Sequence, residues 1–174
     1  MKETLRYGLI LAAICIVASG LLAGMNSITK DRIITQARIE EEAALKEVMP
    51  EGENFEPIKK GEEIIYYKAR NKDNKFIGVA FKASGKGYSG VVDTLAGMSQ
   101  DGRIVVIKIL NQNETPGLGS RIAEPSFTSR FNKKDLLGLS DVQAITGATI
   151  SSKAVINAVQ AKAKEIQELI KNAR

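Results

Sequence analysis

Histidine and tryptophan are absent from this sequence, and cysteine occurs once. Each gap removes chemistry. Without histidine and with a lone cysteine, no His-based triad, no His or Cys metal cluster and no iron–sulfur site can be assembled within the chain. A single cysteine also forbids an internal disulfide, so cysteine usage does not report the compartment. Aromatic residues are only 5% of the total, and the 25 Lys and Arg only slightly outnumber the 20 Asp and Glu. The signs are interspersed along the chain. There is no basic stripe with interleaved aromatics of the kind that grips nucleic acid, and a solvated mixed-charge surface is expected instead. No repeat and no low-complexity tract appears.

What is present, against that sparse chemistry, is a long uncharged run. Residues 7–29 carry no charge, and their centre, Leu9-Ile10-Leu11-Ala12-Ala13-Ile14-Cys15-Ile16-Val17-Ala18, is strongly apolar. As a helix, residues 7–24 span roughly 27 Å, close to a hydrocarbon core of about 30 Å. A cleaved signal peptide is the competing reading, with Lys2 and Arg6 as its basic region and Ala18-Ser19-Gly20 or Leu22-Ala23-Gly24 as its exit. The length of the run, and its passage without turn residues into a charged helical stretch, favour a retained anchor. Lys2 and Arg6 lie before the span and Lys30, Arg32 and Arg38 after it, so the positive-inside count leaves its orientation open. Cys15 sits within the run as a small hydrophobe.

The 174 residues accommodate one such segment and one compact domain, and 44% hydrophobic content suffices for a core. The division expected is a flank over 1–6, a transmembrane anchor over 7–26, a helical stalk over 27–50 and a domain over 51–174. Ile33, Ile34, Ala37, Ala44, Leu45 and Val48 form the stalk's patchy apolar stripe, which packs either on the domain or on a partner subunit. The stalk stops at Pro50-Glu51-Gly52. Beyond it, residues 64–69 and 76–81 read as a hairpin over Asn71-Lys72-Asp73-Asn74, and residues 91–98 and 104–110 as a second over Gln100-Asp101-Gly102. A helix is expected from about residue 150 to 172, with Val155, Val159, Ala163, Ile166 and Ile170 laid on the sheet. A short helix interrupted or restarted at Pro125 falls between. The fold class is therefore α+β: an antiparallel sheet packed by a C-terminal amphipathic helix, preceded by one N-terminal transmembrane helix.

Three stretches carry candidate chemistry. Gly85-x-Gly87-x-x-Gly90 has dinucleotide-fingerprint spacing, but a strand follows it where a helix should, so it reads as a loop with glycine-permitted backbone angles; Tyr88 is a candidate for a ligand edge. Glu114-Thr115-Pro116-Gly117-Leu118-Gly119 is either an ordinary Pro-Gly turn with Leu118 tucked into the core, which spacing alone favours, or a wall that lets backbone approach something flat. Thr146-Gly147-Ala148-Thr149-Ile150-Ser151-Ser152 opens the last helix. Gly147 and Ala148 clear space beside the Thr149 hydroxyl, Ser151 and Ser152 are placed to cap the helix, and free N–H groups there suit a phosphate. A capped helix with no ligand fits that composition equally well.

Thr-Gly-Ala-Thr-Ile-Ser-Ser before an amphipathic helix resembles the flavinylation motif of the FMN-binding domain family. That family includes the C subunit of the sodium-pumping NADH:quinone reductase and the G subunit of the Rnf electron-transport complex. The resemblance covers nearly the whole chain, and the short length and the Glu114–Gly119 loop look most like the Rnf G subunit. It implies FMN joined through its phosphate to Thr149 by a separate flavin transferase acting on FAD, with Thr146, Gly147, Ala148, Ser151 and Ser152 around the attachment point. It implies that the loop bearing Glu114, Thr115, Gly117, Leu118 and Gly119 packs on the isoalloxazine, with Tyr88 at its border. It also implies an electron-transfer subunit in the cytoplasmic membrane, single-pass, with its domain on the extracytoplasmic side and other membrane subunits of the complex as partners. Ion translocation would lie in those partners, and no complete activity is expected of the chain alone. One departure stands out: the family's usual Asp six residues before the acceptor is Gln143 here, with Asp141 nearby. Two other readings remain at this point, an anchored module holding a noncovalent anion and a purely structural assembly subunit.

Overall fold

A computed structural model describes residues 2–172; the side chains of residues 2–5, 27–28, 31–34, 37–38 and 172 lie outside the description, and with them Ile33, Ile34 and Ala37 of the expected stalk stripe. The chain divides into two compact units, Met1–Glu42 and Ala43–Arg174. The first is helical, part of α1 (Lys2–Val48). Within it Arg6–Asn26 is long and apolar enough to cross a membrane, with a mean hydropathy of 2.4 and none of it buried. Exposed Leu, Ile and Val side chains all round a helix of that length suit lipid and not water.

The second unit is built on a five-stranded antiparallel meander, β1 (Asn54–Lys60), β2 (Glu63–Arg70), β3 (Phe76–Lys86), β4 (Val91–Ser99) and β5 (Ile104–Asn111), paired in chain order. Four of these strands carry the alternation and the turn residues that predict them. Asn74 and Gly102 adopt the positive φ that the β2–β3 and β4–β5 turns need. The unexpected strand is β1. It lies at the sheet edge with only Phe55 and Ile58 half-buried, and it contains Pro57. An edge strand tolerates proline because one side of its backbone has no ladder to complete, and having one wet face it shows no clear apolar alternation.

Both faces of the sheet are covered. On one, Val79, Phe81 and Ala83 of β3 and Val92, Ala96 and Met98 of β4 meet α3 (Thr149–Asn172) through Val155, Val159, Ala163 and Ile166, all buried as their spacing predicts; Ile170 is half-buried at the edge. The segment between β5 and α3 closes the same core. It contributes Ile122 from a 3-10 turn, Phe127 from α2 (Pro125–Thr128), then Phe131, Leu139, Val142 and Ile145. Phe127 and Phe131 meet edge to face at 5.4 Å. On the opposite face the end of α1 and the residue after it set Ala44, Leu45, Val48 and Met49 against Tyr67, Ala69, Ala80 and Leu95. The end of the stalk stripe therefore packs on the domain itself.

The close approach on this second face requires a residue without a side chain. A Cβ on Gly97 would collide with the Val48 carbonyl oxygen and crowd Met49 Sδ at 2.9 Å. Gly97→Ala is expected to lever the end of α1 off β4 and to cost about 1–3 kcal/mol, the usual penalty for overpacking. A urea titration of the detergent-solubilised protein measures it; a midpoint equal to the wild type's would show that α1 yields without loss.

Candidate functional site

Sheet order decides where the site lies. In an antiparallel meander the β3–β4 turn and the exit of β5 fall at the same end, and Asp93 of β4 indeed pairs with Asn111 of β5. The head of α3 reaches that end because Gly85 lets it. A Cβ there would collide with the Ala154 carbonyl oxygen and press Ala158 Cβ at 3.2 Å. Three chemically marked stretches, at 87–90, 114–119 and 146–152, thus converge although they are far apart in sequence.

They are tied by one buried side chain. Glu114 is only 5% exposed. Its Oε1 accepts the Ser89 N–H at 3.0 Å, its Oε2 accepts the Tyr88 N–H at 3.2 Å, and the Ser151 hydroxyl from the first turn of α3 donates to Oε2 as well. The Glu114 N–H in turn donates to Gln112 Oε1 at 2.7 Å. Burial alone would push the Glu114 carboxyl up. The Ser151 hydroxyl and the N–H groups of Ser89, Tyr88 and Gly90 outweigh it and hold the carboxyl below its usual range. Space for the carboxylate comes from missing side chains: a Cβ on Gly87 would strike Oε1, and one on Gly119 would sit 2.8 Å from Oε2 and 2.9 Å from Ser151 Oγ.

This corrects the reading of the glycine-rich loop. Residues 84–86 belong to β3, and none of Gly85, Gly87 and Gly90 has positive φ. Gly85 and Gly87 serve as empty volume and not as backbone freedom. The 114–119 stretch is corrected too. Thr115 to Leu118 form a turn with Pro116 second and Gly117 third at φ +73°, closed by the Leu118 N–H donating to Thr115 O at 3.2 Å. Its leucine is not tucked into the core. Leu118 is 52% exposed and leans over Gly147, whose φ is +83°.

Between these segments lies a cleft of about 490 Å³. Tyr88, Thr115, Leu118 and Gly119 form one wall; Gly147, Ala148, Thr149, Ile150 and Ser151 form the other; Glu114 joins them. Of the residues expected at the site, Gly117 stands at the turn tip, Thr146 is exposed outside the lining, and Ser152 is wholly buried. Neither serine caps the helix. The Ser152 hydroxyl accepts the Ile145 N–H at 3.0 Å, pinning the loop before α3, while Ser151 latches Glu114. Gln143 is exposed, and its carbonyl is held by Arg130 Nη1 at 2.8 Å. Ile150 is the lining residue that sequence reasoning passed over. It lies five positions before Val155, about 140° round the helix from the buried stripe. An apolar residue so placed, beside Thr149 at the head of α3, was the available signal.

The arrangement suits a flat ligand bearing a phosphate. Thr149 is exposed and begins α3. Among the described residues, the N–H groups of Thr149, Ile150 and Ser151 have no hydrogen-bond partner, while those of Ala148 and Ser152 are paired to Ile145 O and Ala148 O. Three free donors at the positive end of a 24-residue helix make an anion site. The exposed faces of Tyr88, Leu118 and Ile150 offer apolar contact beside it.

Glu114 yields the prediction of this site. A carboxyl held below its unfolded value stabilises the fold above the ordinary carboxylate range, and that contribution is lost as pH falls through the lowered value. Glu114→Gln removes it. The wild type's advantage in urea midpoint over this variant should be largest at pH 7 and shrink on acidification; an advantage that does not change with pH would count against the charged latch. Ser151→Ala should cost about 1–3 kcal/mol at pH 7 by leaving the carboxylate short of a donor.

Comparison with known proteins agrees with this geometry. Residues 87–164 match the FMN-binding domain and residues 1–48 match the RnfG N-terminal region. The chain is 32% identical over 196 residues to the G subunit of the Na(+)-translocating ferredoxin:NAD(+) oxidoreductase complex of Acetobacterium woodii, covering 98% of this chain and 95% of that protein. It is 30% identical over 172 residues to the G subunit of the ion-translocating oxidoreductase complex of Methanosarcina acetivorans, covering 91% and 92%. The fold is that of NqrC from Shewanella oneidensis, with a TM-score of 0.50 at 18% identity over 70% of this chain and 74% of that one. With its FMN-binding domain following an apolar N-terminal helix, and with relatives of that identity aligned almost end to end, the chain belongs to the family of G subunits of Rnf-type ion-translocating oxidoreductase complexes.

Proposed function

We propose that this protein is a single-pass membrane subunit that carries FMN as a phosphoester on Thr149 and relays electrons between cofactors of neighbouring Rnf subunits. The observation that carries the reading is the exposed Thr149 hydroxyl beside three unpartnered N–H groups at the mouth of the cleft. A phosphodiester there keeps two non-bridging oxygens, which share one negative charge, beside those donors. Attachment from FAD transfers the flavin-bearing phosphoryl group to Thr149 Oγ and releases AMP. That transfer is assigned to a separate flavin transferase. FMN supplies the one- and two-electron redox chemistry when bound. The chain's own residues supply position. Leu118 and Ile150 give the ring apolar contact, Tyr88 borders it, Gly147 and Ala148 admit it, and the Ser151 and Ser152 latches fix the helix head from which it hangs.

The anchor is assigned to residues 7–26 and the cofactor domain to the extracytoplasmic side of the cytoplasmic membrane. Covalent attachment suits that side, where lost FMN could not readily be replaced. Ion passage is assigned to partner subunits, because one apolar helix without charged residues offers no path.

Co-expression with a flavin transferase should raise the intact mass by one FMN less one water and give a flavin-fluorescent band on a denaturing gel. Thr149→Val should abolish both and leave the fold unchanged. A colourless wild type beside an active transferase would sink the covalent assignment. Gln143→Asp, restoring the family's usual carboxylate on an exposed position, should increase the fraction loaded in a fixed time, read by the same fluorescence.

A further inference from the structure

The cleft contains one charge and no counter-charge. Of the ten residues lining it, Glu114 alone is ionisable as an acid or base at neutral pH. Among the described residues no Lys or Arg forms an ion pair with it. Its partners are the Tyr88 and Ser89 N–H groups and the Ser151 hydroxyl, all neutral. These donors fix the carboxylate in place and keep it anionic while nearly all of its surface is withdrawn from water. A fixed charge in such a setting is felt over several ångströms far more strongly than in bulk solvent. Both oxygens are already engaged, and an ionised carboxyl has no proton to donate, so its influence on a neighbour in the cleft is through charge more than through contact.

We propose that Glu114 is a potential-setting residue: an anion without a cationic side-chain partner, locked into the junction of the two cleft walls, that lowers the midpoint potential of the FMN carried there. The inference rests on the assignment of FMN to this cleft. Reduction adds electron density to the ring system, and a fixed negative charge beside it disfavours the reduced form. The three-point lock explains why the charge is held by neutral donors and not by a lysine or arginine: a cation would hold the loop equally well but would cancel the field.

The test uses the full-length, flavin-loaded protein and its Glu114→Gln, Glu114→Asp and Ser151→Ala variants, titrated with dithionite against a reference dye. Glu114→Gln should raise the equilibrium constant for two-electron reduction about tenfold, a shift of about +30 mV. Glu114→Asp and Ser151→Ala keep the charge and should stay within about threefold of wild type, although both loosen the latch. An unshifted Glu114→Gln overturns the proposal. So does an equal shift in all three variants, which would assign the effect to architecture. Should Glu114→Gln not fold, the pair Glu114→Gln/Ser151→Ala removes both partners together, a gentler change than orphaning one; compared with Ser151→Ala it must show the same tenfold rise. Wild type that carries no FMN by intact mass would sink the cleft assignment and this inference together, whereas loaded protein with an unmoved potential sinks this inference alone.

Discussion

The domain's working end depends on the burial of one carboxylate. An ionised side chain withdrawn from water is costly unless donors replace its hydration. Glu114 finds them on two segments distant in sequence, the turn entering β4 and the first turn of α3, and it lies itself on a third, the loop leaving β5. The lock forms only when sheet order, the crossing of α3 and the loop conformation are all correct together. Each neighbour is also shaped to admit it. Gly87 and Gly119 have no side chain where the carboxylate lies, and Gly85 has none where α3 crosses β3. The cleft is a consequence of this junction: its two walls are the segments that Glu114 holds apart at a fixed spacing.

The rest of the fold keeps that junction still. The β3 strand is the longest in the sheet, pairs along its length with β4, and is packed on both faces, by α3 on one and by the last turn of α1 on the other. Removing either cover would expose a row of apolar side chains to water. The segment between β5 and α3 has little regular structure, yet it is anchored through the edge-to-face pair Phe127 and Phe131 and through Arg130, which bonds to the Ser126 and Gln143 carbonyls. The loop that presents Thr149 is thereby held from three sides: by Arg130, by the Ser152 hydroxyl on the Ile145 N–H, and by Ser151 on Glu114.

Much of this was legible in the residues, and the exceptions share a cause. Alternation and helical spacing identify β2 to β5 and the buried face of α3, because those signals are local and repeated. β1 escaped because an edge strand with Pro57 and one wet face has no alternation to show. The glycines at 85, 87 and 119 were visible, but their purpose was not: glycine is required equally by a strained angle and by a neighbour's bulk, and only the fold distinguishes the two. The serines posed the same difficulty. A hydroxyl two or three residues into a helix looks like a cap, and nothing near Ser151 in sequence reveals that its partner lies 37 positions away. The free donors at the head of α3 were readable from sequence because they belong to the helix itself and need no distant partner.

The cleft lies open to solvent. Tyr88 is 72% exposed, Leu118 52% and Ile150 55%. Walls so wet enclose little of any ligand, and noncovalent cofactor sites ordinarily bury most of theirs. A covalent bond removes the need for that enclosure, since a tether turns docking of the ring into an intramolecular event with a high effective concentration. On the proposed attachment, a cofactor held by its phosphate on Thr149 would leave much of its ring at the surface, open to the cofactor of a partner subunit. On the same proposal, the apolar residues left exposed at the rim would meet that partner. An enclosed site would bind FMN without a bond to the chain, but it would place protein between the flavin and the next carrier. The exposed threonine, the shallow cleft and the tightly locked frame behind it thus form one design: rigidity is concentrated at Glu114 so that the cofactor itself can remain accessible.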